Sequence, residues 1–169
     1  RLSPDRYWFC APQDSRAMAE FSLLRRMRAW DLPVPAPVAA RQQRSVWGYT
    51  ADIVVAMIPG TRNVAQALSE APLPPLAWRS LGEAIGRLHQ RQVFHADLNC
   101  HNLLLDAQGH AWIVDFDIRQ GDRWKTENLE RLLRSLRKEQ GRRSPFHWDE
   151  ARWTDLVQGY ADALATCGA

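Results

Sequence analysis

The sequence predicts an α+β domain built as two unequal lobes. Three observations carry this. Proline-rich breaks at Leu32-Pro33-Val34-Pro35-Ala36-Pro37 and Ala71-Pro72-Leu73-Pro74-Pro75 cut the chain into three parts, because proline disfavours helix in the residue before it. A helical period occupies the first part, the two longer extended segments follow in the second, and helical periods dominate the last. Strands followed by mostly helices is the order of an α+β arrangement.

The elements follow in order. Met18, Phe21, Leu24 and Met27 recur every three residues with arginines between them, so a helix is expected near Ser15–Trp30. Strands are expected near Val38–Arg41 and Tyr49–Ile58, the second ended by Pro59-Gly60. Trp78, Leu81, Ile85 and Leu88 fall on one face of a helix over Leu76–Gln90. Short extended pieces are then expected at Val93–Asp97, Leu103–Leu105 and Ala111–Asp115, with a polar, glycine-containing turn at Asp106–His110 between the last two. Two helices finish the chain. Glu127–Lys138 presents Leu129, Leu132, Leu133 and Leu136; Asp149–Ala165 presents Trp153, Leu156, Val157, Tyr160 and Leu164.

Composition narrows the class. The chain has 169 residues, 46% hydrophobic and 24% charged, as in one ordinary soluble domain. No stretch approaches 18 consecutive apolar residues, the length a membrane-spanning helix needs, and no signal-peptide pattern opens the chain. Cys10, Cys100 and Cys167 show no metal-ligand spacing, so reduced thiols are expected. Between Arg119 and Arg143 stand nine Lys/Arg against four acids, a local net of +5, while the remainder carries −2. The whole positive balance sits in one segment, which is either a solvated helix face or a site for an anionic partner.

The chemistry concentrates in His95-Ala96-Asp97-Leu98-Asn99-Cys100-His101-Asn102, followed 13 residues after Asn102 by Asp115 at the end of an apolar strand. Phosphoryl transfer from ATP needs a carboxylate near the attacking hydroxyl and hard oxygen ligands for Mg²⁺. A hairpin over Leu103–Asp115 would bring Asn102 and Asp115 to the same end of paired strands. Singly, each residue has a plainer reading: His95 as a satisfied core histidine, the aspartates as turn formers. Together, four polar positions at fixed spacing favour the phosphotransfer reading.

This stretch resembles the protein-kinase-like superfamily, whose catalytic loop reads H-x-D-x-x-x-x-N and whose metal motif reads D-F-G. The resemblance implies Asp97 as base, His95 as support beneath the loop, and Asn102 and Asp115 as ligands of Mg²⁺. Ala96 and Asp117 depart from the protein-kinase pattern, as in small-molecule, lipid and sugar kinases. A narrower resemblance, to the bacterial 3-deoxy-D-manno-octulosonic acid (Kdo) kinases, rests on Asp5-Arg6-Tyr7-Trp8-Phe9, the Leu32–Pro37 run, Ala51–Val55, Ile58-Pro59-Gly60, Asp115-Phe116-Asp117, and the string from Asn128 to Lys138. It implies a two-lobe protein-kinase-like fold, with residues 1–58 a partial first lobe and 59–169 the helical second lobe.

The same resemblance implies phosphorylation of a Kdo sugar on a lipid A precursor, at the cytoplasmic face of the bacterial inner membrane. Val55, Ala56 and Met57 would form the interlobe hinge that meets adenine. Glu20 would pair with a cation supplied, with a glycine-rich phosphate loop, from upstream of Arg1, so the first lobe is expected to be incomplete here. Arg119, Arg123, Lys125, Arg131 and Arg134 would hold the anionic acceptor, since guanidinium forks match phosphate and carboxylate. Trp124 and Trp148 flank the basic run, which leaves two readings, a place at headgroup level or the core where such side chains more often lie; Trp78, Trp112 and Trp153 are expected in the core. The rivals are a kinase for aminoglycoside- or choline-like alcohols, disfavoured by the +5 segment, and an inactive pseudokinase binding anionic lipid. Nucleic acid is not an expected partner, for no recognised nucleic-acid module accompanies the arginines.

Overall fold

The structure is a computed structural model that describes residues 16–45, 48–116 and 124–166. Asp5–Phe9, Cys10, Asp117, Arg119, Arg123 and Cys167, all invoked above, lie outside the described residues, as does the side chain of Trp124. The chain divides between Met57 and Ile58 into two compact units.

In the first unit, helix α1 (Arg16–Ala29) lies against the two-stranded antiparallel sheet of β1 (Pro37–Ser45) and β2 (Gly48–Val55). Its inner face is Ala17, Leu24 and Met27. The helix stops where Asp31 takes a left-handed backbone, φ 54°. The amide of Leu32 then donates to Met27 O at 3.0 Å and that of Asp31 to Arg28 O at 3.0 Å. These two bonds form a Schellman stop, and Leu32, which follows the left-handed residue, is buried. A register shift between Pro37 and Ala39 leaves Val38 outside the ladder and exposed.

The second unit begins with β3 (Arg62–Asn63) and a short helix α2 (Val64–Glu70) that the apolar pattern did not predict. A sequence signal for it exists. Asn63 and Gln66 form a capping box, with the Gln66 amide donating to Asn63 Oδ1 at 2.8 Å. Helix α3 (Pro75–Gln90) has proline at its first position, where no backbone donor is needed. It buries Trp78, Leu81, Ile85 and Leu88 as the period predicts.

Helix α3 packs on the last helix, α5 (Glu150–Ala165). The contact is closer than the leucine pattern implied. A Cβ at Gly82 would strike the Leu156 carbonyl, and one at Gly86 would lie 2.7 Å from Ala163 Cβ. Backbones that approach so closely select small residues. Helix α5 therefore buries Leu156, Gly159 and Ala163, while Val157 and Leu164, expected inside, stay exposed.

A second Schellman stop ends α3. Gln92 is left-handed (φ 56°), the Val93 amide donates to Leu88 O at 3.2 Å, and the Gln92 amide donates to His89 O at 3.1 Å. The chain then runs through Val93–Asp97, which belongs to no strand. Strands β4 (Leu103–Leu105) and β5 (Ala111–Ile113) form the expected hairpin, with β3 on its other edge. Its turn is made by Asp106, whose carboxylate accepts from the amides of Gln108 and His110, and by Gly109 at φ 84°. Helix α4 (Trp124–Gln140) buries Leu132 and Leu136. Trp148 is 5% exposed and belongs to the core, which decides between its two readings against the headgroup surface. Trp78 is buried, and Trp112 and Trp153 are half-buried.

Candidate active site

The site is built on the loop from His95 to Asn102 and on the strand end Val114–Phe116. His95 is fully buried. Its Nδ1 accepts the Asp97 amide at 3.2 Å, so Nε2 carries the proton and donates to Val114 O at 2.9 Å. One imidazole thus joins the start of the loop to the residue before Asp115. Burial, the largest influence, pushes the His95 pKa down, and the ring stays neutral in this role. Phe116 is buried against it, ring centres 4.8 Å apart.

The missing strand at Val93–Asp97 has a physical reason. Asn128, buried on α4, supplies the bonds that a neighbouring strand would have made. Its Nδ2 donates to His95 O at 2.8 Å, and its Oδ1 accepts the His95 amide at 3.4 Å. The same Oδ1 accepts from His89 Nε2 at 3.2 Å, and His89 Nδ1 accepts from the Tyr160 hydroxyl at 3.0 Å. Burial lowers the His89 pKa to about 4, with Lys125 and His95 adding in the same direction against the raising effect of the Asn128 bond.

Inside the loop, Asn99 folds over Asp97. Its Nδ2 donates to Asp97 Oδ2 at 3.0 Å, and its Oδ1 accepts the amides of His101 and Asn102 at 2.8 and 3.2 Å. Asn102 Nδ2 donates to Asp97 O at 3.0 Å, which leaves Oδ1 as the atom able to hold a hard cation. The Val114 amide donates to Asn102 O at 3.0 Å, continuing the hairpin pairing by one step and bringing Asp115 to the same end as Asn102. Asp115 has φ 62°, a conformation costly for most residues with a Cβ and less so for Asp.

An amide oxygen and one exposed carboxylate suit Mg²⁺, which is held by few protein oxygens and completed by phosphates and water. Among the described residues no group of three or more His, Cys, Asp or Glu forms an all-protein metal cage. The donor set therefore fits a cation shared with a nucleotide better than a structural one.

The structure brings Arg131 to the site too, its guanidinium 3.3 Å from Asp97 Oδ1. Arg134 instead faces Glu130 at 3.7 Å. Lys125 is half-buried at the start of α4. In the first unit Glu20 is half-buried on α1, and Val55, Ala56 and Met57 are exposed at and just beyond the end of β2, Met57 at 86%. The Ala56 amide is already bound to Ala36 O at 2.8 Å. Sequence reasoning assigned no role to Asn99, Asn128 or Ser135, the last of which accepts the Cys100 amide at 3.3 Å. Asn128 carried a faint signal as an amide side chain at the buried edge of a leucine-rich helix.

A mixed helix-and-strand fold with a buried histidine, a carboxylate, an amide and a strand-end carboxylate in this order defines a phosphotransferase of the protein-kinase-like type. Residues 1–160 match the lipopolysaccharide kinase (Kdo/WaaP) family, and the chain belongs to that family. It is 41% identical over 168 residues to a 3-deoxy-D-manno-octulosonic acid kinase of Haemophilus influenzae (strain 86-028NP), covering 95% of this chain and 69% of that protein. Proteins of the same name from Photobacterium profundum and Vibrio cholerae serotype O1 are 38% identical over 163 residues and 41% over 142; the shares are 95% and 82% of this chain, 69% and 60% of theirs.

Proposed function

We propose that this protein transfers the terminal phosphoryl group of ATP to a hydroxyl of a Kdo sugar carried on a lipid A precursor, a step of lipopolysaccharide core biosynthesis. The observation that carries the reading is the junction of Asp97, Asn102 and Asp115 at one hairpin end, held from beneath by His95. Its family membership and the activity named for its relatives support the same reaction.

Asp97 orients the sugar hydroxyl and accepts its proton. The hydroxyl oxygen bonds to the terminal phosphorus as the bridging oxygen departs with ADP. Asn102 Oδ1 and the Asp115 carboxylate would hold Mg²⁺. The ion, when bound, neutralises charge on the phosphate oxygens. Val55, Ala56, Met57 and Glu20 are assigned to the nucleotide side. Lys125 and Arg134, with Arg119 and Arg123, are assigned to the acceptor's phosphates and carboxylate, while Arg131 stands against Asp97.

The site of action is the cytoplasmic face of the inner membrane, reached peripherally. No helix among the described residues is long and apolar enough to cross a membrane. Arg134, Arg137 and Lys138 are exposed on α4, away from its buried leucines. Basic side chains near an acidic leaflet each contribute about 1 kcal/mol of attraction.

The test is incubation with ATP, Mg²⁺ and a Kdo-bearing lipid A precursor, read by mass spectrometry. The acceptor should gain one phosphate, and Asp97→Asn should lower turnover on the order of 10²–10⁴-fold. Phosphorylation of a cationic aminoglycoside or choline in place of the Kdo acceptor, or full turnover by Asp97→Asn, refutes the reading.

A further inference from the structure

Four polar side chains of α4 meet the catalytic loop in register. Asn128 binds His95 through both of its backbone groups, Arg131 meets Asp97 at 3.3 Å, Ser135 Oγ lies 3.1 Å from Cys100 Sγ, and Glu139 Oε1 lies 3.5 Å from His101 Nε2. Their spacings of three, four and four residues keep all four within about 80° of one helix face at 3.6 residues per turn. The loop is read off in the same order by successive turns of the helix. Leu132 and Leu136, buried next to this stripe, seat the helix; the stripe itself faces the loop.

We infer that α4 is a splint for the catalytic loop and that Arg131 is a positioning residue acting through Asp97, not an acceptor ligand. This deepens the proposed kinase function and rests on it. Asp97 is held from two sides: Asn99 takes Oδ2 and Arg131 takes Oδ1. Both side chains of the Arg131–Asp97 pair are about half exposed, at 49% and 58%. Such a pair adds little to folding. What it adds is direction, because a carboxylate with both oxygens engaged keeps one rotamer.

The far end of the splint is anchored independently. Glu139 also accepts from Arg143 Nε at 2.6 Å, and Arg143 reaches Ser69 Oγ at 3.3 Å. The helix is thereby tied to α2 as well as to the loop.

The experiment is a double-mutant cycle with hydrogen exchange, on the full chain with ATP and the Kdo-bearing acceptor. Arg131→Gln should lower kcat about 10- to 50-fold with both KM values within twofold, and Arg131→Lys should recover most of the loss. In an Asp97→Asn background, Arg131→Gln should cost less than twofold, since residues acting through one group are not additive. Ser135→Ala removes the acceptor of the Cys100 amide, and exchange in the 96–102 peptide should quicken about fivefold, as for one lost hydrogen bond. A raised acceptor KM with unchanged kcat, or equal losses in both backgrounds, overturns the positioning role. Unchanged exchange in Ser135→Ala overturns the splint, and this readout holds whatever the acceptor. Failure of the wild type to phosphorylate Kdo, with faster exchange in Ser135→Ala, would refute the proposed substrate and leave the splint standing.

Discussion

Lowering the pH should destabilise this protein well before its carboxylates protonate, and His89 is the main cause. It is fully buried between Tyr160 and Asn128, with its pKa lowered from the ordinary 6.5 to about 4. In the unfolded chain the ring takes up a proton near 6.5; in the folded chain it resists until about 4. Between those values the unfolded state binds more protons, so stability falls as pH falls. The full interval corresponds to about 3 kcal/mol. His95 is shifted the same way by burial and adds in the same window. Glu139 acts lower: the Arg143 bond holds it below the ordinary 4.5, so its contribution is present above that value and is lost as pH drops through the folded pKa. The assay is urea unfolding followed by circular dichroism at steps from pH 7 to pH 4. The wild type should lose about 3 kcal/mol or more across this range. His89→Gln cannot titrate there, so its curve should start lower and fall less, keeping only the share of His95 and the carboxylates. Parallel curves for the wild type and His89→Gln would refute the reasoning.

Other perturbations probe separate parts of the structure. Asn128→Leu would take from the His95 amide and the His95 carbonyl their partner in the core, and would remove the Asn128 bond to His89 Nε2. It should cost about 3 kcal/mol or more, at roughly 1–3 per orphaned group, by chemical denaturation; a loss under about 1 kcal/mol would contradict the bonding. Gly82→Ala forces a Cβ into the Leu156 carbonyl and should lower stability by about 1–3 kcal/mol in a thermal melt. Asp115→Ala should abolish the dependence of ATP affinity on Mg²⁺, measured by calorimetry with and without the ion; a retained dependence would remove Asp115 from the metal role. Cys100 is buried beside Ser135, and burial raises its thiol pKa, so alkylation at pH 8 should be slow in the native state and fast in urea.

The sequence alone determined much of the second unit. Helix α3 follows from apolar residues at helical spacing, and its start from Pro75 at the first position. The β4–β5 hairpin follows from Asp106 and Gly109, whose turn chemistry acts over a few residues. The α+β class and the kinase-like loop were legible for the same reason: period, turn residues and motif spacing are local properties of the chain. Helix α2 was not among the expected elements: Asn63 and Gln66 carried its capping signal, but seven residues give too little apolar period to reveal it.

Only the tertiary structure decided the rest. Val93–Asp97 has the composition of a strand, yet an amide 33 residues away binds His95 and takes the place of a ladder. Arg131 reads as one cation in a basic segment, yet it faces Asp97 across 34 residues, while Arg134, one turn on, faces Glu130. Trp148 was equally suited to core or surface until the chain after α4 folded it inward. The choice among such alternatives is made by where α4 packs. That placement depends on contacts between segments remote in sequence, whose closure entropy only the assembled core repays.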